Sequence, residues 1–436
     1  MSPYITTNVA LIGVARSGKT TFLTSLLWHL DQYKHDETFQ VTDSKSEPSR
    51  VTLSKIRINA GGHTDHTYKF REAINKMIRE RAFPSKSTDW KECTVEFVRS
   101  DWPISRQRIN FFDFPGERVA DLSLMIGRSY QQWCDILFAK LTETHTVSGL
   151  LEDYNKAISS ANNEIDCLLA YKDLIGKLVH RHGSLISPST LLLDASGKHF
   201  REKFDGESNL HQQFIDTALS GLPESQFVPI FKGTNSFTKL FEQRYNQYRE
   251  QVLYPLIRKL WNTDKLLIFI DIPSLLQAGD IAYNDAVNAA TQLATILDPS
   301  ESWVQWLLGW SLLRRVLGME WQPLKQIIFV ASQADRVRPE DISNSRLQDL
   351  LEHIVGNIKT KIVLPQGCQT TCCSAIWSSQ SANVPDELPS AIPDQWPPPH
   401  FKFPYIAGNI PTAITKPPKH KNLDTLFSLI INEKST

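Results

Sequence analysis

Short apolar runs alternate along this chain with stretches in which apolar residues recur every three or four positions. Runs at about 8–13, 93–99, 107–113, 266–271, 326–331 and 368–373 have the length of buried strands. Phe22, Leu23, Leu26, Leu27 and Leu30 follow the first run at helical spacing, and Tyr68–Met77 and Asn422–Ile431 also read as helices. Helical patterns follow most of the strands. That order predicts an α/β fold, a mostly parallel sheet with helices on both faces. The runs 93–99 and 107–113 lie so close in sequence that one of them is expected to be antiparallel, at the sheet edge.

Two stretches interrupt this alternation. Residues 35–90 carry a glycine pair and one helix, and 119–262 read as mainly helical, with Leu168, Leu169, Tyr171, Leu174 and Leu178 at three-and-four spacing. At 436 residues the chain exceeds one ordinary domain. We therefore expect a core from 1–118 and 263–436, with a helical insertion at 119–262. The proline-rich segment 384–420 cannot be regular throughout. Trp303–Arg315 should be a helix whose apolar stripe widens to nearly all sides. Such a helix is read as buried core, with a peripheral membrane or partner contact as the alternative.

Chemistry enters between the first strand and its helix. Gly13-Val14-Ala15-Arg16-Ser17-Gly18-Lys19-Thr20 fits G-x-x-x-x-G-K-[ST]. Gly13 and Gly18 permit positive φ, so that backbone N–H groups of the loop, including those of Arg16, Ser17 and Thr21, can converge on phosphate oxygens. Lys19 sets a point charge beside the outer phosphates, and the Thr20 hydroxyl suits Mg²⁺. The strand 107–113 then delivers Asp113-Phe114-Pro115-Gly116-Glu117. Asp113 at a strand end can hold Mg²⁺, and the Gly116 amide can approach a γ-phosphate without side-chain obstruction. Glu117 has two readings, a group that orients or deprotonates the attacking water and a solvated acid opening the next helix. A hydroxyl from a switch segment should also reach the metal; Ser87 and Thr88 stand at the expected place and Thr88 is taken, with an ordinary polar loop as the competing reading.

Base recognition falls to the strand 326–331 and Ser332-Gln333-Ala334-Asp335. Guanine-specific proteins use N/T-K-x-D there, the Asp taking both hydrogens of the guanine edge. Asp335 is in register, but Gln333 replaces the lysine and Ser332 the Asn or Thr. Ser374 and Ala375 resemble the S-A-K loop that meets guanine O6. GTP is favoured over ATP on these residues. Lys plus Arg and Asp plus Glu both number 47, so charge gives no argument for nucleic acid. Six cysteines without metal spacing, no secretory signal and no membrane-length run fit the cytoplasm. His63 and His66 have loose metal-like spacing but read as a solvated loop.

Together these residues resemble the YcjX-type family of bacterial P-loop GTPases. The resemblance rests on Gly13–Thr20, Asp113–Glu117 and Ser332–Asp335, with weaker echoes at Asp271 with Leu275–Gly279 and at His420–Asp424. It implies a Gα-like core with a helical region, GTP and GDP as ligands, Mg²⁺ as cofactor, slow hydrolysis and a link to stress responses. Two other functions remain open from sequence. One is a nucleotide-held scaffold that turns over negligibly and recruits a protein or membrane; the other is an ATPase.

Overall fold

The computed structural model describes residues 4–13, 17–43, 48–59, 66–84, 90–115, 121–122, 125, 127–142, 148–182, 226–231, 235–278, 324–360, 364–378, 388 and 416–432. Among these, residues up to 115, 259–278 and 324 onward form one compact unit, and 121–258 form a second.

The first unit is built on β1 (Tyr4–Gly13), which runs parallel to β4 (Arg106–Asp113) on one side and to β5 (Lys265–Ile270) on the other. β6 (Gln326–Ala331) and β7 (Cys368–Cys372) continue the parallel array beyond β5. On the far side β3 (Lys91–Arg99) is antiparallel to β4, and β2 (Leu53–Ile58) is antiparallel to β3. The seven-stranded order is β2-β3-β4-β1-β5-β6-β7. The short β3–β4 connection thus gives an antiparallel pair as expected, but β3 is not the edge. β2 covers it, a strand that the hydrophobic pattern of 35–90 does not predict.

Strand parity explains why the runs are continuously apolar. Val9, Leu11, Phe111, Leu267, Phe269, Ile328 and Val330 join one buried cluster with α1 (Lys19–Asp31), α2 (Phe70–Glu80) and the last helix. The alternate residues Ala10, Ile12, Leu266, Ile268, Ile327 and Phe329 point to the opposite face and are buried too. There α10 (Arg346–Lys359) packs on β6 and β7 through its own apolar stripe, which includes Leu347, Leu350, Leu351 and Ile354. Among the described residues between β5 and α10 are two short helices, α8 (Ile272–Ala278) and α9 (Pro339–Ser343).

Helix α1 is buried on every side, polar residues included: Thr24, Ser25 and His29 are as enclosed as Leu26 and Leu27. Its outer side is covered by α2 and by α11 (Leu423–Ile431). The arm before α11 is tied to the end of α1: His29 places Nδ1 against Asp36 and Nε2 3.1 Å from Pro418 O, and its ring meets His420 edge-on at 4.8 Å. Two enclosed cations close the other end of α11. Arg99 donates to Ile431 O (3.0 Å), and Lys265 to Leu429 O (3.0 Å) and Asn432 O (2.6 Å), matching the negative end of the helix dipole.

In the second unit the described elements are helical: α3 (Tyr130–Thr142), α4 (Ser148–Ser159), α5 (Glu164–His182) and α6 (Thr238–Tyr248), the last followed by a π-turn (Arg249–Leu253) and then by α7 (Tyr254–Trp261). Asn163 starts α5 by accepting from the Asp166 N–H at 2.9 Å, while Asp166 accepts from the Asn162 N–H at 3.0 Å. Leu168, Tyr171 and Leu174 of the expected stripe are buried. The unit's core is aromatic, with Trp133 5.4 Å from Phe227 and 5.3 Å from Tyr245. The Tyr130 and Tyr154 hydroxyls satisfy the carbonyls of Val228 (2.5 Å) and Pro229 (2.6 Å) in the segment threaded between them.

Candidate nucleotide-binding site

All five parallel strands end at one edge of the sheet, and the residues immediately past those ends carry the chemistry. β1 sits where the chain crosses from one half of the sheet to the other, the place where open α/β sheets bind ligands.

At the end of β1, Gly13 has φ 149°, and a Cβ there would lie 2.4 Å from Phe269 O and 2.7 Å from Ser17 Oγ. Glycine lets β1 turn against the backbone of β5. Gly18 caps α1 with φ 83°, where a Cβ would meet nothing closer than Gln333 Cγ at 3.9 Å. It is needed for its backbone angle rather than for space. The first helical bond runs from Phe22 N to Gly18 O (2.8 Å), so the helix supplies acceptors only from Phe22 onward, and the amides of Lys19, Thr20 and Thr21 form its positive end. Lys19 is buried and folds back over the loop, its Nζ 2.8 Å from Gly13 O and 3.3 Å from Ser17 Oγ. Arg16 lies outside the described residues.

One residue along, the Thr20 hydroxyl donates to Asp113 Oδ2 at 2.7 Å. Asp113 is fully buried, paired in register with Leu11 of β1. A hydroxyl and a carboxylate set together are the hard oxygen donors that Mg²⁺ prefers, so these residues fit that ion. A turn further on, Thr24 Oγ1 bonds both Thr20 O (2.7 Å) and Tyr68 Oη (2.5 Å). Burial, with Asp113 nearby, pushes the Tyr68 phenol well above its ordinary range and keeps it neutral. Nothing in the sequence singled Tyr68 out, because it reaches this turn from outside every motif. Thr88, Gly116 and Glu117 lie outside the described residues.

Past β6, Gln333 adopts a left-handed conformation (φ 55°) and leads into a 3₁₀ turn, Ala334–Arg336. Its amide donates to Asp271, just beyond β5, which also accepts from Ser274 N (3.1 Å) and Ser274 Oγ (2.6 Å). Burial raises the Asp271 carboxyl above its ordinary range, opposed by the Ser274 bonds. Asp335 is buried and accepts from Ser374 Oγ (2.7 Å), Ser378 N (2.9 Å) and Ser378 Oγ (2.9 Å). Ala375 O accepts from Ser25 Oγ of α1 at 2.7 Å, so the loop past β7 is anchored to the helix that starts at Lys19. The arm before α11 braces the same loop: Ser374 and Lys421 exchange backbone bonds of 3.0 and 2.9 Å. The structure thus gathers Gly13, Ser17, Gly18, Lys19, Thr20, Thr21 and Asp113, with Gln333, Asp335, Ser374 and Ala375 alongside them on the same edge. Ser378 was not anticipated, since it belongs to no spacing pattern.

Elsewhere, His66 is half-buried with its ring stacked on Trp90 at 4.0 Å, not a solvated loop residue as expected. Among the described residues no group of three or more His, Cys, Asp or Glu is arranged to hold a metal, and no helix is long and apolar enough to cross a membrane. All six cysteines are free. His63 and Trp303–Arg315 lie outside the described residues.

A family profile described as the YcjX-like family, DUF463, matches residues 7–427, and the chain belongs to that family. Among individual proteins it is similar to the "Ras-like GTPase YcjX" of Escherichia coli (strain K12), at 21% identity over 469 residues spanning 98% of this chain and 95% of the relative.

Proposed function

We propose that this protein is a Mg²⁺-dependent GTPase that hydrolyses GTP to GDP and phosphate and changes conformation between the two states, in the cytoplasm and in the stress-linked setting that the family resemblance implies. The observation that carries the reading is the juxtaposition at the head of α1. A buried ammonium folded over the loop at 2.8 Å from Gly13 O stands one residue from the Thr20–Asp113 pair at 2.7 Å. The name of the E. coli relative supports it.

In this reading the amides from Ser17 to Thr21, with that of Arg16, cradle the phosphates, and Lys19 exchanges Gly13 O for phosphate oxygens. Thr20, Asp113 and Thr88 would hold Mg²⁺, which when bound neutralises charge on the outer phosphates. Gly116 offers its amide to the γ-phosphate, and Glu117 orients the attacking water or takes its proton. Asp335 reads guanine, Ser374 and Ala375 border the base, and the Gln333 stem covers its face while Asp271 holds the amide. Residues 119–262 are read as a mainly helical insertion into the core at 1–118 and 263–436.

Calorimetric titration with GTP in Mg²⁺ tests the cradle. Lys19→Ala is expected to bind about a hundredfold more weakly, from the loss of charge-assisted contacts. Wild-type affinity in that variant would refute the site.

A further inference from the structure

The Thr20–Asp113 pair is braced from behind by a residue that no motif contains. Thr24, one turn along α1, donates its single hydroxyl hydrogen to Thr20 O at 2.7 Å. That leaves Thr24 Oγ1 only the role of acceptor towards Tyr68 Oη, 2.5 Å away, so the phenol is the donor. Both partners are shut away from water, Thr24 at 0% and Tyr68 at 7% exposure, so water is a poor substitute for either.

Tyr68 is in turn fixed to the sheet. Its N–H donates to Glu92 O of β3 at 2.7 Å, and its carbonyl accepts from Asn59 Nδ2 at 3.0 Å. The Asn59 N–H donates to Thr94 O, also of β3, at 2.6 Å. Glu92 follows Lys91, the β3 residue paired in register with Asp113 of β4. The strand pair that carries the carboxylate therefore also anchors the phenol. Two hydroxyls on one face of α1, four positions apart, meet groups borne by that pair: Thr20 meets Asp113, and Thr24 meets Tyr68.

We propose that Tyr68 is a positioning residue for the metal site: its phenol, anchored to β3, holds the first turns of α1 where the Thr20 hydroxyl stays against Asp113. The proposal rests on the Mg²⁺ reading above. It deepens that reading by assigning a residue that acts through Thr24 rather than on the ion or the nucleotide. Phenylalanine keeps the ring and its packing, so Tyr68→Phe isolates the hydrogen bond.

The test is calorimetric titration of the full chain with GTP, once in Mg²⁺ and once in EDTA, for wild type, Tyr68→Phe and Thr24→Val. The ratio of the two affinities reads how much the ion contributes. Tyr68→Phe is expected to lower that ratio about fivefold, the scale of one neutral hydrogen bond, and to change the affinity in EDTA less than about twofold. Thr24→Val, isosteric but without the hydroxyl, should do the same, whereas Thr24→Ser should keep the wild-type ratio. The double variant Tyr68→Phe/Thr24→Val should lose no more than the worse of the two single ones, because both remove one bond. An unchanged ratio in Tyr68→Phe or in Thr24→Val, or an equal loss with and without Mg²⁺, overturns the proposal and leaves the nucleotide site standing. If the wild type gains no affinity from Mg²⁺, or binds no GTP, the metal reading and the proposal fall together.

Discussion

A Cβ on Gly13 would lie 2.4 Å from Phe269 O, a backbone atom that cannot swing aside, whereas one on Gly18 would find its nearest neighbour at 3.9 Å. The two glycines of a single motif therefore differ in what they do. Gly13→Ala should destabilise the protein by about 3 kcal/mol through overpacking, and Gly18→Ala by only about 1 kcal/mol through its positive φ. Denaturant midpoints of the two variants measure this, and equal losses would contradict it. Spacing made Lys19, Thr20, Asp113 and Asp335 legible from sequence, because each chemistry demands a residue type at a fixed offset from a strand end. Ser378 and Tyr68 were not legible. Each is a common residue type that meets its partner only through the fold, Tyr68 across 44 positions of sequence from Thr24 and Ser378 across 43 from Asp335.

At the scale of elements, periodicity located six of the strands and the helices α1, α2 and α11, since continuous apolar runs are what two-sided burial requires and three-and-four spacing marks a helix. It missed β2, where Leu53-Ser-Lys-Ile-Arg-Ile58 carries charge, Lys55 has φ 53°, and the pairing with β3 shifts between Ser54 and Arg57. A bulged, charged strand is how an exposed sheet edge resists pairing with another chain, and those same features erase its alternation. Helix α5 shows the opposite disguise. Lys172 is of a type that is almost never fully buried unless paired, yet it is fully buried, and among the described residues its ammonium finds no hydrogen-bond partner. Burial lowers it from its ordinary 10.5 to about 8. Below about pH 8 both folded and unfolded chains carry that proton, and the fold bears a penalty of about 3 kcal/mol. Between about 8 and 10.5 the folded chain has released it while the unfolded chain still binds it, so stability rises with pH. Lys172→Met should thus stabilise the protein by about 3 kcal/mol at neutral pH, with the gain fading towards pH 10.5. Denaturant titrations at several pH values check this, and a gain that did not depend on pH would exclude Lys172 as its source.

For the whole molecule, the organising fact is convergence. Gly13, Asp113, Asp271, Ser332 and Ser374 are scattered through the chain but stand at or just past the ends of β1, β4, β5, β6 and β7. A parallel sheet does this automatically, because strands that run the same way finish at the same edge. Two further ties hold the base side to the phosphate side: Ser25 Oγ to Ala375 O at 2.7 Å, and the arm that bonds Ser374 while packing His420 on His29. We propose that this edge grips a triphosphate and selects guanine through Asp335. It is tested most directly by a competition titration of the wild-type chain with GTP and ATP in Mg²⁺. Adenine cannot supply the two donors that a guanine-reading acid would accept, so GTP should bind at least about tenfold more tightly than ATP. Equal affinities, or a preference for ATP, would exclude Asp335 as a reader of guanine.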